Sequence, residues 1–125
     1  MGTADLTPAH AAWIDLPSEE VFPGITRQVF HGSRQTLVRY FYAPGSVFPV
    51  HAHPEEQITV VISGTILFEI AGNPQEMRGG EVAVIPGHVP HGARVVGAEA
   101  VETFNAMSPR RDASPFARID EDYSR

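Results

Sequence analysis

The sequence predicts a single all-β domain of short antiparallel strands, arranged as a sandwich or a barrel. Short segments rich in β-branched and aromatic side chains recur along the chain, and no stretch has the pattern of a long helix. Eleven glycines and eleven prolines punctuate these segments in a chain of 125 residues, a content that favours turns. A chain of this length buries one core and is too short to divide comfortably into two domains.

The strand-like segments are bounded by glycine, proline or polar turn residues. They comprise residues 24–30, 35–42, 57–63, 65–70, 79–86, 93–96 and 100–107. The first two form a predicted hairpin, and Gly64 between the third and fourth is a predicted hairpin or bulge residue. We therefore expect three parts: an N-terminal extension over residues 1–24, a β-barrel over 25–108 and a polar tail over 109–125. Trp13 and Phe22 are expected to pack the extension against the barrel.

Composition and charge exclude several classes of function. The formal net charge is −6 and the pI is about 5.4, so there is no electrostatic case for binding nucleic acid or an anionic membrane. The absence of cysteine excludes disulfides, thiolate ligands and a cysteine nucleophile. No apolar run approaches the ~18 residues of a membrane span, and the N-terminus lacks the pattern of a secretory signal. We expect a cytoplasmic protein.

Two histidines, His51 and His53, stand one residue apart within residues 45–64. Residues i and i+2 of a strand project to the same face, so both imidazoles are expected to enter one space. Two neutral imidazoles that share a pocket are suitable ligands for a divalent metal. The alternative is a pair of surface histidines in a loop, and the pair by itself leaves the choice open.

Two signatures around these histidines resemble those of the cupin superfamily. The first is Gly-x5-His-x-His-x3–4-Glu-x6-Gly, matched at Gly45, His51, His53 and Gly64, with Gln57 in the glutamate position. The second is Gly-x5-Pro-x-Gly-x2-His-x3-Asn, matched at Gly80, Pro86 and His91, with His88 for the glycine and Val95 for the asparagine. Both signatures occur in order, separated by a predicted hairpin over residues 65–79.

The resemblance implies a cupin double-stranded β-helix, which is a jelly-roll barrel with one open mouth. It also implies one divalent transition metal (Fe, Mn, Ni, Co or Zn) inside the barrel, held by His51, His53, Gln57 and His91. The neighbouring Glu56 is the alternative ligand, but the family spacing selects Gln57, and Glu56 would point to the other side of a regular strand. A neutral glutamine makes the metal a stronger Lewis acid and less easily oxidised, which favours non-redox chemistry.

The last predicted strand is similar to the ending of a cupin subgroup that acts on unsaturated uronates from pectin and alginate. That ending is Asp-x-Phe-Ser-Pro-x-Arg, and here Asn105 occupies the Asp position while Arg111 retains the Arg. An amide has no titratable proton near neutral pH, so Asn105 would not serve as a general acid or base. Arg111 is expected to clamp a substrate carboxylate, or else to be a solvated surface residue. A different strand register would bring in Glu102 instead.

The candidate catalytic residues are thus Asn105, Arg111 and Tyr40, the last as a cavity-lining aromatic, and His88 is a candidate residue of the cavity mouth. The favoured function is a divalent-metal-dependent lyase, isomerase or cyclase acting on a small oxygenated acid or an enolisable carbonyl compound. The alternatives are an Fe(II)-dependent dioxygenase that cleaves an alkene or diketone, and a non-catalytic cupin that binds metal and ligand. The expected partners are a small-molecule substrate, for which a carboxylate is one candidate class, and a second copy of the chain in a homodimer.

Overall fold

The computed structural model describes residues 8–112. One 3-10 turn, Trp13–Asp15, precedes ten strands. The strands are β1 (Glu19–Phe22), β2 (Ile25–His31), β3 (Thr36–Tyr42), β4 (Val47–His51), β5 (Glu56–Ser63), β6 (Thr65–Ile70), β7 (Asn73–Arg78), β8 (Val82–Ile85), β9 (His91–Arg94) and β10 (Val101–Ser108). The predicted C-terminal tail beyond residue 112 lies outside the described residues.

The strands form two antiparallel sheets that face each other. The six-stranded sheet has the order β1-β2-β3-β10-β5-β8, and the four-stranded sheet has the order β4-β9-β6-β7. Consecutive strands of the sequence repeatedly fall in different sheets, which is the connectivity of a jelly roll. The predicted all-β class is confirmed.

The inner face of the six-stranded sheet is set by alternation along β3, β5 and β10. Along β5, Gln57, Thr59 and Val61 are buried, whereas Ile58 and Ile62 on the opposite face are 45% and 42% exposed. The polar residues of this strand therefore point inward and its isoleucines outward, against the usual preference. Such an inversion is expected where the interior of a barrel holds a polar site.

Three strands, β1, β4 and β7, lie outside the seven strand-like segments of the sequence. β1 belongs to the predicted N-terminal extension, yet it pairs antiparallel with β2; β7 occupies the second arm of the predicted hairpin over residues 65–79 and pairs with β6. The packing predicted for the extension is confirmed, because the Trp13 ring lies 5.8 Å from the Phe104 ring and the Phe22 ring 4.9 Å from the Phe48 ring, measured between centroids.

Gly64 joins β5 to β6 and is required by its surroundings. Its φ is +85°, a conformation that favours glycine, and a Cβ atom at this position would lie 2.5 Å from the carbonyl oxygen of Ala100. The hairpin predicted at Gly64 is wrong, because β5 and β6 lie in different sheets and pair with other strands. Gly64 instead lies where the chain passes from the six-stranded to the four-stranded sheet.

Candidate metal centre

The three histidines of the two signatures meet inside the barrel. His51 ends β4, His53 follows two residues later outside any strand, and His91 begins β9 directly opposite His51 in the ladder. The ring centroid of His91 lies 4.2 Å from that of His51 and 4.8 Å from that of His53. The predicted convergence of His51 and His53 is thus found, but the loop after β4 places His53, rather than alternation along one strand.

Backbone carbonyls fix the tautomer of each ring. The Nδ1 atoms of His51, His53 and His91 lie 2.9, 3.0 and 2.8 Å from the carbonyl oxygens of Pro49, Glu55 and Val89, respectively. A carbonyl oxygen only accepts, so each Nδ1 carries the proton and each Nε2 keeps a lone pair. Metal-binding histidines commonly make this second hydrogen bond, which orients the ring.

The Nε2 atom of His91 is the clearest sign of what the site can hold. It is buried and has no hydrogen-bond partner among the described residues, a costly state for a polar atom. One ring nitrogen from each histidine lies within 4.8 Å of the others, a spacing at which the three could hold a metal ion. The donor set therefore fits a divalent transition metal.

The rings are held neutral, as ligands must be. Burial and the neighbouring His91 lower the pKa of His51 to about 2, and burial lowers the pKa of His91 to about 4. The pKa of His53 is lowered by burial and by the guanidinium of Arg111. At neutral pH no proton competes with a metal for the Nε2 lone pairs.

Gln57 brings an oxygen to the same cluster. Its Oε1 lies 3.1 Å from Nε2 of His53, and its side chain lines the same cavity as the three histidines. Glu56 is exposed on the other side of β5, so the position expected from the signature spacing is the one that faces the histidines.

The cavity beside the cluster is small and its walls are largely apolar. Its volume is about 20 Å³, and Tyr40, Tyr42, Phe48, Phe68 and Met107 line it together with the four candidate ligands. This volume holds little more than one water molecule. Burial raises the pKa of Tyr40 to about 12 and also raises that of Tyr42, so both hydroxyls stay protonated and can donate.

Asn105 lies behind the cavity wall and does not line it. Its side chain is 1% exposed and hydrogen bonds to Gln57, Thr59, Thr103 and the backbone of Val38. Asn105 is a candidate catalytic residue in the sequence, but its amide lies against Gln57 rather than in the cavity.

Arg111 is buried in an internal ion pair. Its Nη1 lies 2.5 Å from Oε1 of Glu55, and the two side chains are 4% and 10% exposed. The interpretation of Arg111 as a solvated surface residue is wrong. Glu55 was missed by sequence reasoning, and it touches the site, because its backbone carbonyl accepts the hydrogen bond from His53 Nδ1.

The remaining candidates lie away from the cavity. Glu102 pairs with Arg39 at 2.8 Å in the alternation set of β10 opposite to Asn105, so the alternative register is wrong. His88 is exposed and has a φ of 68°, which explains why the second signature has glycine at this position. Its backbone N–H donates to the carbonyl oxygen of His53 at 2.7 Å and ties the two signature loops together.

The jelly-roll barrel and the three histidines that point into it are the features of a class of small β-barrel proteins that could hold a metal ion. The sequence model of the Cupin domain matches residues 38–107, which is more than half of the chain. The chain therefore belongs to the cupin family, as its signatures predicted. No curated protein matches the sequence.

Solved structures share the fold over most of the chain. KdgF from a Halomonas species is 28% identical, with a TM-score of 0.78 over 85% of this chain and 97% of its own. An RmlC-like cupin from Shewanella frigidimarina is 22% identical, with a TM-score of 0.77 over 85% and 95% of the two chains. The polyketide cyclase RemF from Streptomyces resistomycificus is 20% identical, with a TM-score of 0.75 over 93% and 89%. These likenesses support the single-domain cupin fold.

Proposed function

We propose that this cupin is a metal-dependent enzyme that binds one divalent transition metal through His51, His53, His91 and Gln57. The reaction we propose is a non-redox lyase, isomerase or cyclase reaction on a small enolisable carbonyl compound. The observation that carries the proposal is the set of converging acceptors: three Nε2 lone pairs and one amide oxygen meet in a buried space, and His91 Nε2 has no hydrogen-bond partner among the described residues.

His51, His53, His91 and Gln57 would hold the metal, which when bound would supply a Lewis acid for a carbonyl oxygen of the substrate. The protein's own part is to hold the ligands and the substrate. The four candidate ligands are neutral, so they leave the metal's charge undiminished and favour Lewis-acid chemistry over oxidation. Phe48, Phe68 and Met107 form an apolar wall that excludes water and strengthens every polar contact inside.

Tyr40 is the proposed hydrogen-bond donor to the substrate. It lines the cavity, burial raises its pKa to about 12, and Arg27 hydrogen bonds to its hydroxyl. A phenol that stays protonated can donate to a developing oxyanion but cannot act as a general base at neutral pH. The proton lost from carbon would pass to solvent at the mouth of the cavity, because Tyr40 already holds its own proton and the cavity has room for only one oxygen-sized group.

The cavity favours a neutral carbonyl compound over a carboxylate. Glu55 already compensates the charge of Arg111, for which a substrate carboxylate was one of two expected partners, and the cavity wall is mostly aromatic. The cavity admits one oxygen-sized group, so we expect the carbonyl end of the substrate to enter it and the remainder to displace wall side chains. Cupin folds carry several unrelated reactions, so the substrate class rests on these contacts alone.

The proposal is tested by metal content and by anaerobic turnover. Mass spectrometry of protein purified without added metal is expected to show one transition metal per chain in the wild type and none in His51→Ala. His10→Ala is the matched control, because His10 is exposed and lies outside the site. Turnover of an enolisable diketone without oxygen is expected. Turnover only with iron and oxygen would replace the proposed reaction by the dioxygenase alternative, and metal without turnover of any carbonyl compound would favour a binding protein.

A homodimer and a cytoplasmic location complete the proposal. Self-association is supported by an exposed apolar face on β5 and β8, formed by Ile58, Ile62, Val82 and Val84. No helix in the described part of the chain is long and apolar enough to cross a membrane. Light scattering on the eluting protein measures the mass directly, and a monomer mass at micromolar concentration would contradict the dimer.

A further inference from the structure

Asn105 connects the protein backbone to the candidate ligand Gln57. It lies on β10 between Val38 of β3 and Thr59 of β5. Its Nδ2 donates to the carbonyl oxygen of Val38 at 3.2 Å and to Oγ1 of Thr103 at 2.9 Å. A carbonyl oxygen only accepts, so the amide group of Asn105 has one permitted orientation, with Oδ1 on the side of β5.

This orientation is passed on to Gln57. Oδ1 of Asn105 accepts from Oγ1 of Thr59 at 2.7 Å and from Nε2 of Gln57 at 3.1 Å. Nε2 of Gln57 also donates to Oγ1 of Thr59 at 2.8 Å. Both donors of the Gln57 amide are thus used on the side away from the cavity, and its Oε1 is left facing His53.

The result is a contact between two acceptors. His53 donates from Nδ1 to the carbonyl oxygen of Glu55, so its Nε2 presents a lone pair to Oε1 of Gln57 at 3.1 Å. With the amide reversed, Gln57 would donate a hydrogen bond to that Nε2, a favourable contact in a site without metal. The reversed amide would instead place Oε1 against Oδ1 of Asn105, at the distance now occupied by a hydrogen bond.

We infer that Asn105 is a positioning residue, which holds the Gln57 amide oxygen toward the histidine cluster as a ready fourth ligand. The inference rests on the proposed function, since it assigns the acceptor pair of Gln57 and His53 to a divalent cation. It also gives Asn105 a role that differs from general acid–base catalysis. A carboxylate at this position would still accept from Gln57 but could not, when ionised, donate to Val38.

The orientation is tested first on metal-free protein by NMR of side-chain nitrogens. The two amide protons of Gln57, assigned by their loss in Gln57→Glu, are expected to exchange slowly with solvent because both are buried and bonded. The nitrogen resonance of His53 Nε2 is expected to show an unprotonated atom that accepts no hydrogen bond, since the reversed amide would donate one to it. Rapid exchange of the Gln57 amide, a proton on His53 Nε2, or a hydrogen bond accepted by that Nε2 from the Gln57 amide would overturn the inference.

The consequence for binding is tested with Co²⁺ as the probe. Asn105→Leu keeps the number and branching of the side-chain heavy atoms and removes every side-chain hydrogen bond of Asn105, so the Gln57 amide can reverse. We expect Co²⁺ to bind this variant about 10–100-fold more weakly, the range typical of partners that orient metal ligands, with altered Gln57 amide resonances. Asn105→Asp keeps an acceptor for Gln57 Nε2 and is expected to restore most of the lost affinity. Co²⁺ affinity in Asn105→Leu equal to that of the wild type would refute the positioning role.

The two proposals fail separately. Wild-type protein that binds no Co²⁺ would end the proposed function, while the metal-free NMR spectrum still decides the orientation of Gln57. Normal Co²⁺ binding beside a freely exchanging Gln57 amide would end the role of Asn105 and leave the metal centre standing.

Discussion

The buried ion pair between Glu55 and Arg111 permits a stability prediction with a definite size. Replacing Glu55 by Gln leaves the Arg111 guanidinium, 4% exposed, without its carboxylate. A guanidinium stays charged at any accessible pH, and removing one partner of a buried pair costs about 3–5 kcal/mol. The free energy of unfolding is therefore expected to fall by that amount in Glu55→Gln, measured by urea denaturation of EDTA-treated protein.

A second pair in the same protein is a matched control. Glu76 and Arg78 lie 3.1 Å apart, but their side chains are 49% and 70% exposed. An exposed pair contributes about 0–1 kcal/mol, so Arg78→Met should scarcely change the urea midpoint, whereas Arg111→Met should shift it strongly.

The double variant Glu55→Gln with Arg111→Met completes the cycle. It removes both charges, so its loss of unfolding free energy should not exceed that of either single variant. Losses below about 1 kcal/mol in the single variants, or a double variant equal to their sum, would refute the account of a coupled buried pair.

Three other predictions concern pH, the connection between β5 and β6, and the cavity. In metal-free protein the pKa of His91 is lowered to about 4 and that of His51 to about 2, so the unfolded chain takes up protons before the folded one as the pH falls below about 6.5, the ordinary pKa of histidine. The free energy of unfolding should therefore drop by up to about 1.4 kcal/mol per pH unit per histidine. A urea midpoint that stays flat between pH 7 and 5 would contradict this. Gly64→Ala should cost about 1–3 kcal/mol from strain and more than Gly72→Ala, whose added Cβ meets nothing within 4 Å; equal thermal shifts would disagree. Tyr40→Phe should lower kcat roughly 100-fold with little change in KM, and an unchanged kcat would remove the hydroxyl from the reaction.

The sequence predicts the parts of the site that have a fixed spacing. His51, His53 and His91 fall in signatures, and the structure brings them together. The direction of Gln57 was open, because alternation along β5 gives two faces that both contain apolar residues. The structure resolves this by burying the polar set and exposing Ile58, a choice that depends on what the opposite sheet contributes.

The supporting contacts could not be predicted, because they join residues far apart in the chain. Glu55 and Arg111 are 56 positions apart, and Asn105 and Gln57 are 48 apart. No local pattern encodes such a pair. The strand β1 was missed for a different reason: its four residues include two glutamates, and pairing with β2 overrides their weak strand propensity.

We propose that this cupin binds one divalent metal through three neutral histidines and an amide oxygen. Isothermal calorimetry, in which Co²⁺ is titrated into EDTA-treated protein, tests this binding directly. We predict one site per chain in the wild type and no measurable site in His91→Ala, the variant that removes the buried Nε2 without a hydrogen-bond partner among the described residues. Absence of binding in the wild type, or one full site in His91→Ala, would contradict the account.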